Sequence, residues 1–131
     1  MKAYLSFPIT GYDEKERRRF AAMTSEMLMR KYFFDVVNPF HIADKVKKMH
    51  LDEGNWDEPT YEEYMSADIK QLLECDVIIF CQGWHLSDGC LEEYIEALRA
   101  DIPAYIISGE SIEKLWKYDS SCFIKQKIKC L

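Results

Sequence analysis

The sequence predicts an α/β protein with a flavodoxin-like, doubly wound parallel sheet of four to five strands. Short apolar runs alternate with longer segments of helical periodicity, in the order β-α-β-α-β-α-β-α. The runs are apolar throughout, which is typical of parallel strands covered on both faces by helices. Right-handed crossovers then give the doubly wound arrangement, in which a ligand binds beyond the carboxyl ends of the strands.

Two strands and two helices are predicted in the first part of the chain. Ala3–Phe7 is an apolar run ended by a proline, and it predicts the first strand. Apolar residues at helical spacing predict a long helix over Glu14–Tyr32. Asp35–Val37 is a short second strand stopped by an Asn-Pro pair, and Ile42–Met49 is a short helix.

The alternation resumes after a polar, turn-rich loop. This loop, Leu51–Thr60, carries one tryptophan. Polar loops of this length in compact domains more often have a function or are mobile than serve only as connections. The predicted strands beyond it are apolar, and the predicted helices carry apolar residues three or four positions apart. In order, these elements are helix Tyr61–Cys75, strand Val77–Cys81, helix Cys90–Ala100, strand Ala104–Ile107 and helix Ser111–Tyr118.

Length and charge restrict the classes of function. The 131 residues are expected to form one domain, residues 1–131, with a proper hydrophobic core. The formal net charge of −6 argues against a nucleic-acid backbone or an anionic membrane as partner. No apolar run approaches the length of a transmembrane helix, and the chain starts in a strand-like segment rather than a signal peptide, so a cytoplasmic location is expected.

Cysteine and histidine usage predicts neither disulfides nor a metal centre. The five cysteines are odd in number, lie mostly in apolar contexts and are spaced unlike zinc ligands. His41 and His85 both follow strands, but neither has a partner at ligand spacing. We therefore expect no metal and no cofactor.

The most informative segment joins the third strand to the helix that follows it. After Val77–Cys81 the chain runs through a turn rich in small residues, Gln82–Gly89, into a helix that carries Glu93. Free backbone N–H groups and the helix dipole at such a junction favour an anionic or polyol ligand. The segments after the other strands are expected at the same edge of the sheet, namely Phe7–Gly11, Asn38–His41 and Ser108–Glu110.

Two carboxylates lie out of place for a solvated helix face. Glu93 falls at the edge of the apolar arc of its helix. From periodicity alone, a glutamate at the boundary of the core whose carboxylate reaches water is favoured over a glutamate with a functional role. Asp68 falls almost in line with core-facing apolar residues, so it must find hydrogen-bond donors or shift its pKa. It either caps the backbone amides of a neighbouring loop or has a functional role. Two such carboxylates aimed at the strand ends suggest acid, base or nucleophile chemistry on a glycosidic bond.

Two motifs carry a resemblance to a known family. They read Tyr64-Met65-x-x-Asp68-Ile69-x-x-Leu72-x-x-Cys75-Asp76 and Gly83-Trp84-x-x-Ser87-x-Gly89-x-x-x-Glu93. In order, spacing and strand–helix context they resemble the nucleoside 2-deoxyribosyltransferase superfamily, most closely a small, often phage-associated branch. The related deoxynucleoside 5′-monophosphate N-glycosidases carry a similar Ser-x-Gly-x-x-x-Glu pattern. The likeness spans most of the chain, from Tyr4 to Ile107.

The resemblance implies roles for individual residues. Glu93 would be the nucleophile that forms a glycosyl-enzyme ester, and Asp68 would orient the sugar or assist proton transfer. Ser87 and Gly89 would hold the 5′ end of the substrate, where a phosphate would meet the like charge of Asp88. The expected substrate-binding residues are Phe7, Pro8, Ile9, Gly11, Asn38, Gly83, Trp84, Ser87 and Gly89.

Two aromatic residues bear on how a nucleobase would be held. Trp84 either stacks on the base from the end of the strand or packs on the edge of the sheet. Relatives often have a glycine where this chain has Phe7, and the bulky ring would narrow or reshape the base pocket. Trp56, in the polar loop, would either stack on the base as part of a lid or make an oligomer contact.

The expected function is cleavage or transfer of the N-glycosidic bond of 2′-deoxynucleosides or their 5′-monophosphates, through a covalent glycosyl-enzyme intermediate. The alternatives are a nucleotide-binding module without turnover, and cleavage of the nicotinamide bond of NAD. The expected partner is a small nucleoside or nucleotide. The basic tail Cys122–Leu131 against an acidic body also suggests pairing with a second copy of the chain, in a homodimer or higher homo-oligomer.

Overall fold

The computed structural model describes residues 1–115, which form a five-stranded sheet flanked by helices. The strands are β1 (Lys2–Ser6), β2 (Asp35–Val37), β3 (Val77–Phe80), β4 (Ala104–Ser108) and β5 (Ser111–Lys114). The α-helices are α1 (Glu14–Tyr32), α2 (Pro39–Asp52), α3 (Tyr61–Leu72) and α4 (Asp88–Arg99), and a 3₁₀ turn covers Trp84–Leu86.

The strands lie in the order β2-β1-β3-β4-β5. The first four are parallel, and β5 pairs with β4 in antiparallel orientation. This is the strand order of flavodoxin-like doubly wound folds, so the predicted fold class is confirmed. Because the chain leaves β1 towards β2 and later crosses back to β3, the strand order reverses between β1 and β3. A crevice for a ligand is expected beyond the carboxyl ends of these two strands.

Most element bounds agree with the prediction, and helix caps explain the largest differences at helix starts. α1 and β2 have the predicted bounds. α2 begins earlier than predicted, at Pro39, because the side chain of Asn38 accepts a hydrogen bond from a backbone N–H in the first turn, at 2.9 Å. α4 begins at Asp88, because Ser87 Oγ accepts the N–H of Cys90 at 3.3 Å. β2 therefore leads almost directly into the N-terminus of α2, and the 3₁₀ turn Trp84–Leu86 lies between β3 and the N-terminus of α4.

The helix predicted over Ser111–Tyr118 is wrong for the part that the structure describes. Gly109, at a φ of 66°, and Glu110 form a two-residue turn, and the chain folds back onto β4 as the antiparallel strand β5. A glycine with positive φ at the first position of such a turn favours a hairpin. Residues 116–118 of the predicted helix, and the basic tail Cys122–Leu131, lie outside the described residues.

Apolar layers cover both faces of the sheet. On one face α1 packs against alternate residues of the central strands, including Leu5 and Ile79. On the other face α2, α3 and α4 pack against Tyr4, Ile78 and Phe80. The central strands are therefore buried on both sides, as predicted, and a polar side chain on them needs a hydrogen-bond partner inside the protein.

Candidate functional site

A cleft of about 280 Å³ opens where the strand order reverses. The loop after β1 contributes Phe7, Ile9 and Thr10 to its walls, and the remaining walls come from α1, α2, α3 and the first turns of α4. Its volume is at the lower end of the range of small-molecule sites. The cleft therefore lies at the edge of the sheet that the topology predicts.

Glu93, on α4, lies at the buried end of this cleft, with only 6% of its surface exposed. One carboxylate oxygen, Oε1, accepts a hydrogen bond from the hydroxyl of Ser6 at 2.8 Å. The other, Oε2, accepts a hydrogen bond from the hydroxyl of Tyr4. The interpretation of Glu93 as a boundary residue that reaches water is therefore wrong, because β1 presents two hydroxyl donors to the position that helical periodicity places at the edge.

Burial dominates the electrostatics of Glu93. Loss of hydration raises its pKa to about 8, and the negative charge of Asp68 adds to the increase, while the hydrogen bonds from Tyr4 and Ser6 oppose it. The pKa of Tyr4 is raised well above its usual value of 10.0, because the phenol is buried beside Glu93. Tyr4 therefore keeps its proton and remains a hydrogen-bond donor to Glu93 across the neutral pH range.

Asp68, on α3, lines the same cleft and is half-buried. Burial raises its pKa to about 7. Within residues 1–115 no group donates a hydrogen bond to its carboxylate, so the interpretation of Asp68 as a cap for loop amides is not supported. The structure thus brings together the two carboxylates that the sequence singled out, each with a pKa near neutrality.

Two carboxyl groups of this kind can divide the work of base and nucleophile. Near pH 7 to 8 the pair holds about one proton, and Asp68, whose pKa is the lower of the two, ionises before Glu93. The arrangement is suited to a reaction in which Glu93 attacks carbon once it is ionised, and the Asp68 carboxylate accepts a proton.

Ser87, at the end of the turn between β3 and α4, and Gly89, in the first turn of α4, line the cleft. Gly83 has a φ of 86°, a left-handed conformation that favours glycine, and it starts the 3₁₀ turn. Gly89 lies against α3: a Cβ atom there would be 3.3 Å from Met65 Cε and 3.7 Å from the hydroxyl of Tyr61. A side chain at Gly89 would therefore occupy space that the cleft now leaves for a ligand.

Six of the nine expected substrate-binding residues line the cleft or the cavity beside it. Phe7 and Ile9 line the cleft, and Ser87 and Gly89 line both the cleft and a neighbouring cavity. Pro8 and Gly83 line only that second cavity. Gly11 has a φ of 88° in the loop after β1 and lines neither space.

Two expected substrate-binding residues have structural roles instead. Trp84 is 3% exposed, and its ring centroid lies 4.5 Å from that of Phe80 and 5.2 Å from that of Tyr94. The interpretation of Trp84 as a platform on which a base stacks is therefore wrong. An apolar pocket between β3 and α4 takes the indole. Asn38 is buried as the cap of α2 and does not line the cleft.

Residues 1–106 match a protein family described as a domain of unknown function, DUF4406. The chain belongs to this family. No curated protein and no solved structure matches it significantly. The part of the chain that matches DUF4406 runs from β1 into β4, and it therefore includes Tyr4, Asp68 and Glu93 together with the turn between them.

Two residues of this DUF4406 domain that hold Glu93 were missed from the sequence. The sequence pattern places Tyr4 and Ser6 in an apolar strand and indicates no role for their hydroxyls. Because side chains alternate along a strand, residues two positions apart point to the same face. Two hydroxyl groups on one face of a central, fully buried strand require a polar partner, and this was the signal available in the sequence.

The outer part of the DUF4406 cleft carries charges that the sequence also did not indicate. The guanidinium group of Arg18 lies 4.6 Å from the centre of the Phe40 ring and donates two hydrogen bonds to Asp44, at 3.0 and 2.8 Å. Lys47 lies 3.7 Å from a carboxylate oxygen of Glu58. Both cations line the cleft with a carboxylate beside them.

Other types of site were also considered among the described residues of the DUF4406 domain. The thiol of Cys90 lines the cleft, but burial raises its pKa to about 11, so it is not a reactive thiolate at neutral pH. Within residues 1–115 no three or more His, Cys, Asp or Glu side chains are placed to hold a metal ion. Over the same residues no helix combines the length and apolar character needed to cross a bilayer.

Proposed function

We propose that this protein cleaves or transfers the N-glycosidic bond of 2′-deoxynucleosides or their 5′-monophosphates. The observation that carries the proposal is Glu93, a buried carboxylate held by two hydroxyl donors at the end of a small-molecule cleft. Asp68 supplies a second carboxyl group in the same cleft. The resemblance of the surrounding motifs to nucleoside 2-deoxyribosyltransferases supports this choice of bond and substrate.

In this proposal a carboxylate oxygen of Glu93 attacks C1′ of the deoxyribose. The C1′–N bond breaks, its electron pair leaves with the base, and the base takes up a proton from solvent. The product of this step is an ester between Glu93 and the sugar. Water, or the nitrogen of a second base, then attacks C1′, loses a proton to the Asp68 carboxylate or to solvent, and releases Glu93 as a carboxylate.

The hydrogen bonds to Glu93 have a defined part in this scheme. Tyr4 and Ser6 fix both carboxylate oxygens, so the side chain keeps one orientation towards the cleft. Both donors also favour the ionised form that attacks carbon. The Ser87–Gly89 turn would hold the 5′ end of the substrate, and the loop after β1 would lie along the base.

The test is the release of free base from a panel of deoxynucleosides and deoxynucleoside 5′-monophosphates, with and without an added acceptor base. Wild type is expected to release base, and Glu93→Gln is expected to release none. Glu96→Gln, on the same helix and paired with Arg99 at 2.8 Å, is the matched control and should keep wild-type activity. Mass spectrometry of the stopped reaction should show a deoxyribosyl adduct on Glu93.

Three outcomes would contradict the proposal. Activity retained in Glu93→Gln would exclude Glu93 as the nucleophile. Ligand-induced thermal stabilisation without any product would instead favour a nucleotide-binding module. Release of nicotinamide from NAD, with no base released from deoxynucleosides, would favour the other enzymatic alternative.

A further inference from the structure

The departing base is the part of the proposed reaction for which the two carboxyl groups provide no stabilising partner. When the C1′–N bond breaks, the base leaves with the electron pair of that bond and carries a developing negative charge. Asp68 ionises before Glu93, so at the pH at which Glu93 can attack carbon neither group gives the base a proton. An N–H donor or a cation at the other end of the cleft would stabilise the departing base.

The lining of the cleft indicates where the base of a bound nucleoside would lie. Glu93 and Asp68, which face the sugar in the proposed reaction, come from α4 and α3. The Ser87–Gly89 turn is assigned to the 5′ end of the substrate. The wall that remains for the base comes from α1 and α2, and we call it the base wall. It consists of Glu14, Arg18, Pro39, Phe40, Ala43 and Lys47.

Arg18 is the more firmly held of the two cations in the base wall. Its Nη1 and Nη2 atoms donate hydrogen bonds to the two carboxylate oxygens of Asp44, at 3.0 and 2.8 Å. The same guanidinium group lies 4.6 Å from the centre of the ring of Phe40, and Phe40 is buried. A planar group held by a bidentate pair of hydrogen bonds and packed on an aromatic ring keeps one orientation.

Lys47, the other cation of the base wall, is held less firmly. Its Nζ atom lies 3.7 Å from a carboxylate oxygen of Glu58, which is too long for a hydrogen bond. Its side chain is 40% exposed, and an ammonium group on a flexible stem has several orientations available. Arg18 is therefore the donor of this wall whose position is set before a ligand binds.

Arg18 has more N–H groups than its contact with Asp44 uses. A guanidinium group carries five N–H groups, and the two hydrogen bonds to Asp44 take two of them. Its Nε atom lies 3.8 Å from a carboxylate oxygen of Glu14, in the same wall. The second N–H groups of Nη1 and Nη2 can donate to a carbonyl oxygen or a ring nitrogen of a base. Because the donor is charged, such hydrogen bonds are shorter and stronger than those between neutral groups.

We propose that Arg18 binds the base of the nucleoside and stabilises the negative charge that the base acquires as the C1′–N bond breaks. The proposal rests on the proposed function for the position of the sugar, and it adds a site for the leaving group to that function. The hydrogen bond from Arg18 strengthens as charge builds up on its acceptor, and solvent then supplies the proton to the base. Asp44 is a positioning residue in this scheme, because it acts on the substrate through Arg18.

The test compares substrates that differ only in how readily the base leaves. The pairs are 2′-deoxyuridine with its 5-fluoro derivative and 2′-deoxyadenosine with its 2-fluoro derivative, since fluorine makes the base a better leaving group and changes its size little. For each pair that wild type cleaves, kcat/KM is measured with the full chain. Arg18→Met removes the charge and the N–H donors. It should lower kcat/KM about a hundredfold for the parent nucleoside and only about tenfold for the fluoro derivative, which needs less stabilisation.

A purely structural role for Arg18 gives a different result. If Arg18 only joined α1 to α2 through Asp44, Arg18→Met would lower kcat/KM by the same factor for both members of a pair. Arg18→Lys keeps a cationic donor and should recover part of the selective loss. Arg30→Met is the matched control, because Arg30 lies on the same helix, 3.7 Å from a carboxylate oxygen of Glu26, and does not line the cleft. It should change neither value. Equal losses for both members of a pair, or no loss, would overturn the proposal.

Binding measurements separate this proposal from the proposed function. Dissociation constants of the four nucleosides are measured by calorimetry on Glu93→Gln and on the double variant that also carries Arg18→Met. If wild type releases no base but the second substitution weakens binding about tenfold, the base site stands and the proposed reaction fails. If base is released but Arg18→Met lowers kcat/KM equally within a pair, the reaction stands and this proposal fails. If no base is released and the second substitution leaves binding unchanged, both fail.

Discussion

Replacing Glu93 by glutamine is expected to stabilise the protein above neutral pH while it abolishes turnover. Burial raises the pKa of Glu93 to about 8 from an unfolded value of 4.5, so the folded protein keeps a proton that the unfolded chain releases. The unfolding free energy therefore falls as the pH rises from the unfolded pKa to the folded one. Glutamine keeps both hydrogen bonds, because its carbonyl accepts from Tyr4 and its amide donates to Ser6, but it does not titrate.

The size of the effect follows from the two pKa values. Each pKa unit corresponds to about 1.36 kcal/mol, so wild type is expected to lose about 3 to 5 kcal/mol of unfolding free energy relative to Glu93→Gln between pH 4.5 and 8. Small proteins have about 5 to 15 kcal/mol in total. With a urea m value of about 2 kcal/mol/M, the two midpoints should separate by about 1.5 to 2.5 M over this range.

The assay is urea unfolding of wild type, Glu93→Gln and the control Glu96→Gln at pH 5, 6, 7 and 8, followed by circular dichroism. Asp68 also has a raised pKa, of about 7, but it is present in all three proteins and largely cancels in the comparison. The midpoints of wild type and control should fall with pH, and that of Glu93→Gln should fall less. Parallel midpoints for wild type and Glu93→Gln across this range would refute the burial of the carboxyl group and remove the physical basis of the nucleophile assignment.

Three further changes test the surroundings of Glu93, the proposed nucleophile. Tyr4→Phe removes a hydrogen bond that lowers the pKa of Glu93, so the acidic limb of the pH–rate profile should move to higher pH and kcat at pH 7 should fall by about ten- to a hundredfold. Asp68→Asn removes a negative charge that raises the pKa of Glu93, so the acidic limb of the pH–rate profile should move to lower pH. In the same steady-state assays kcat should fall about a hundredfold. An acidic limb that does not move would exclude electrostatic coupling between Asp68 and Glu93. Gly89→Val should raise KM for deoxynucleosides about tenfold, because the valine side chain would meet the end of the Met65 side chain. Gly89→Ala should raise KM less, because the end of Met65 is flexible. Equal KM values for wild type and both variants would contradict the placement of the cleft.

The location of the site could be predicted from the sequence because it depends on topology alone. Apolar runs separated by helical segments indicate parallel strands, and a doubly wound sheet places its ligands beyond the strand ends. The carboxylate on the apolar stripe of α3, Asp68, was a signal of the same kind, since an acidic group among apolar neighbours needs an explanation. These inferences use only the order and periodicity of the residues.

The environment of Glu93 could not be predicted from the periodicity of its own helix. That periodicity places Glu93 at the edge of the apolar arc, and the contact that buries it comes from Tyr4, 89 positions away in the chain. The prediction that Trp84 stacks on a base was wrong for a related reason. Its sequence neighbours are compatible with stacking on a ligand or with packing in the core, and the shape of the pocket between β3 and α4 determines which of the two occurs. The strand at Ser111 was missed because the turn at Gly109 outweighs the helical pattern that follows it.

The cost of placing Glu93 next to Tyr4 and Ser6 is itself an argument for a chemical role. A buried carboxyl group with a raised pKa lowers stability across the neutral pH range, whereas apolar side chains of similar volume in place of buried ionic groups are often neutral or stabilising. Packing alone therefore does not require these three polar residues. What the three polar residues provide is a carboxyl group that ionises near neutral pH. It is held in one orientation at the end of the cleft that Asp68 also lines. In the proposed reaction, burial and reactivity would have the same physical origin, because the loss of hydration that destabilises the Glu93 carboxylate also removes the water that would weaken its attack on carbon.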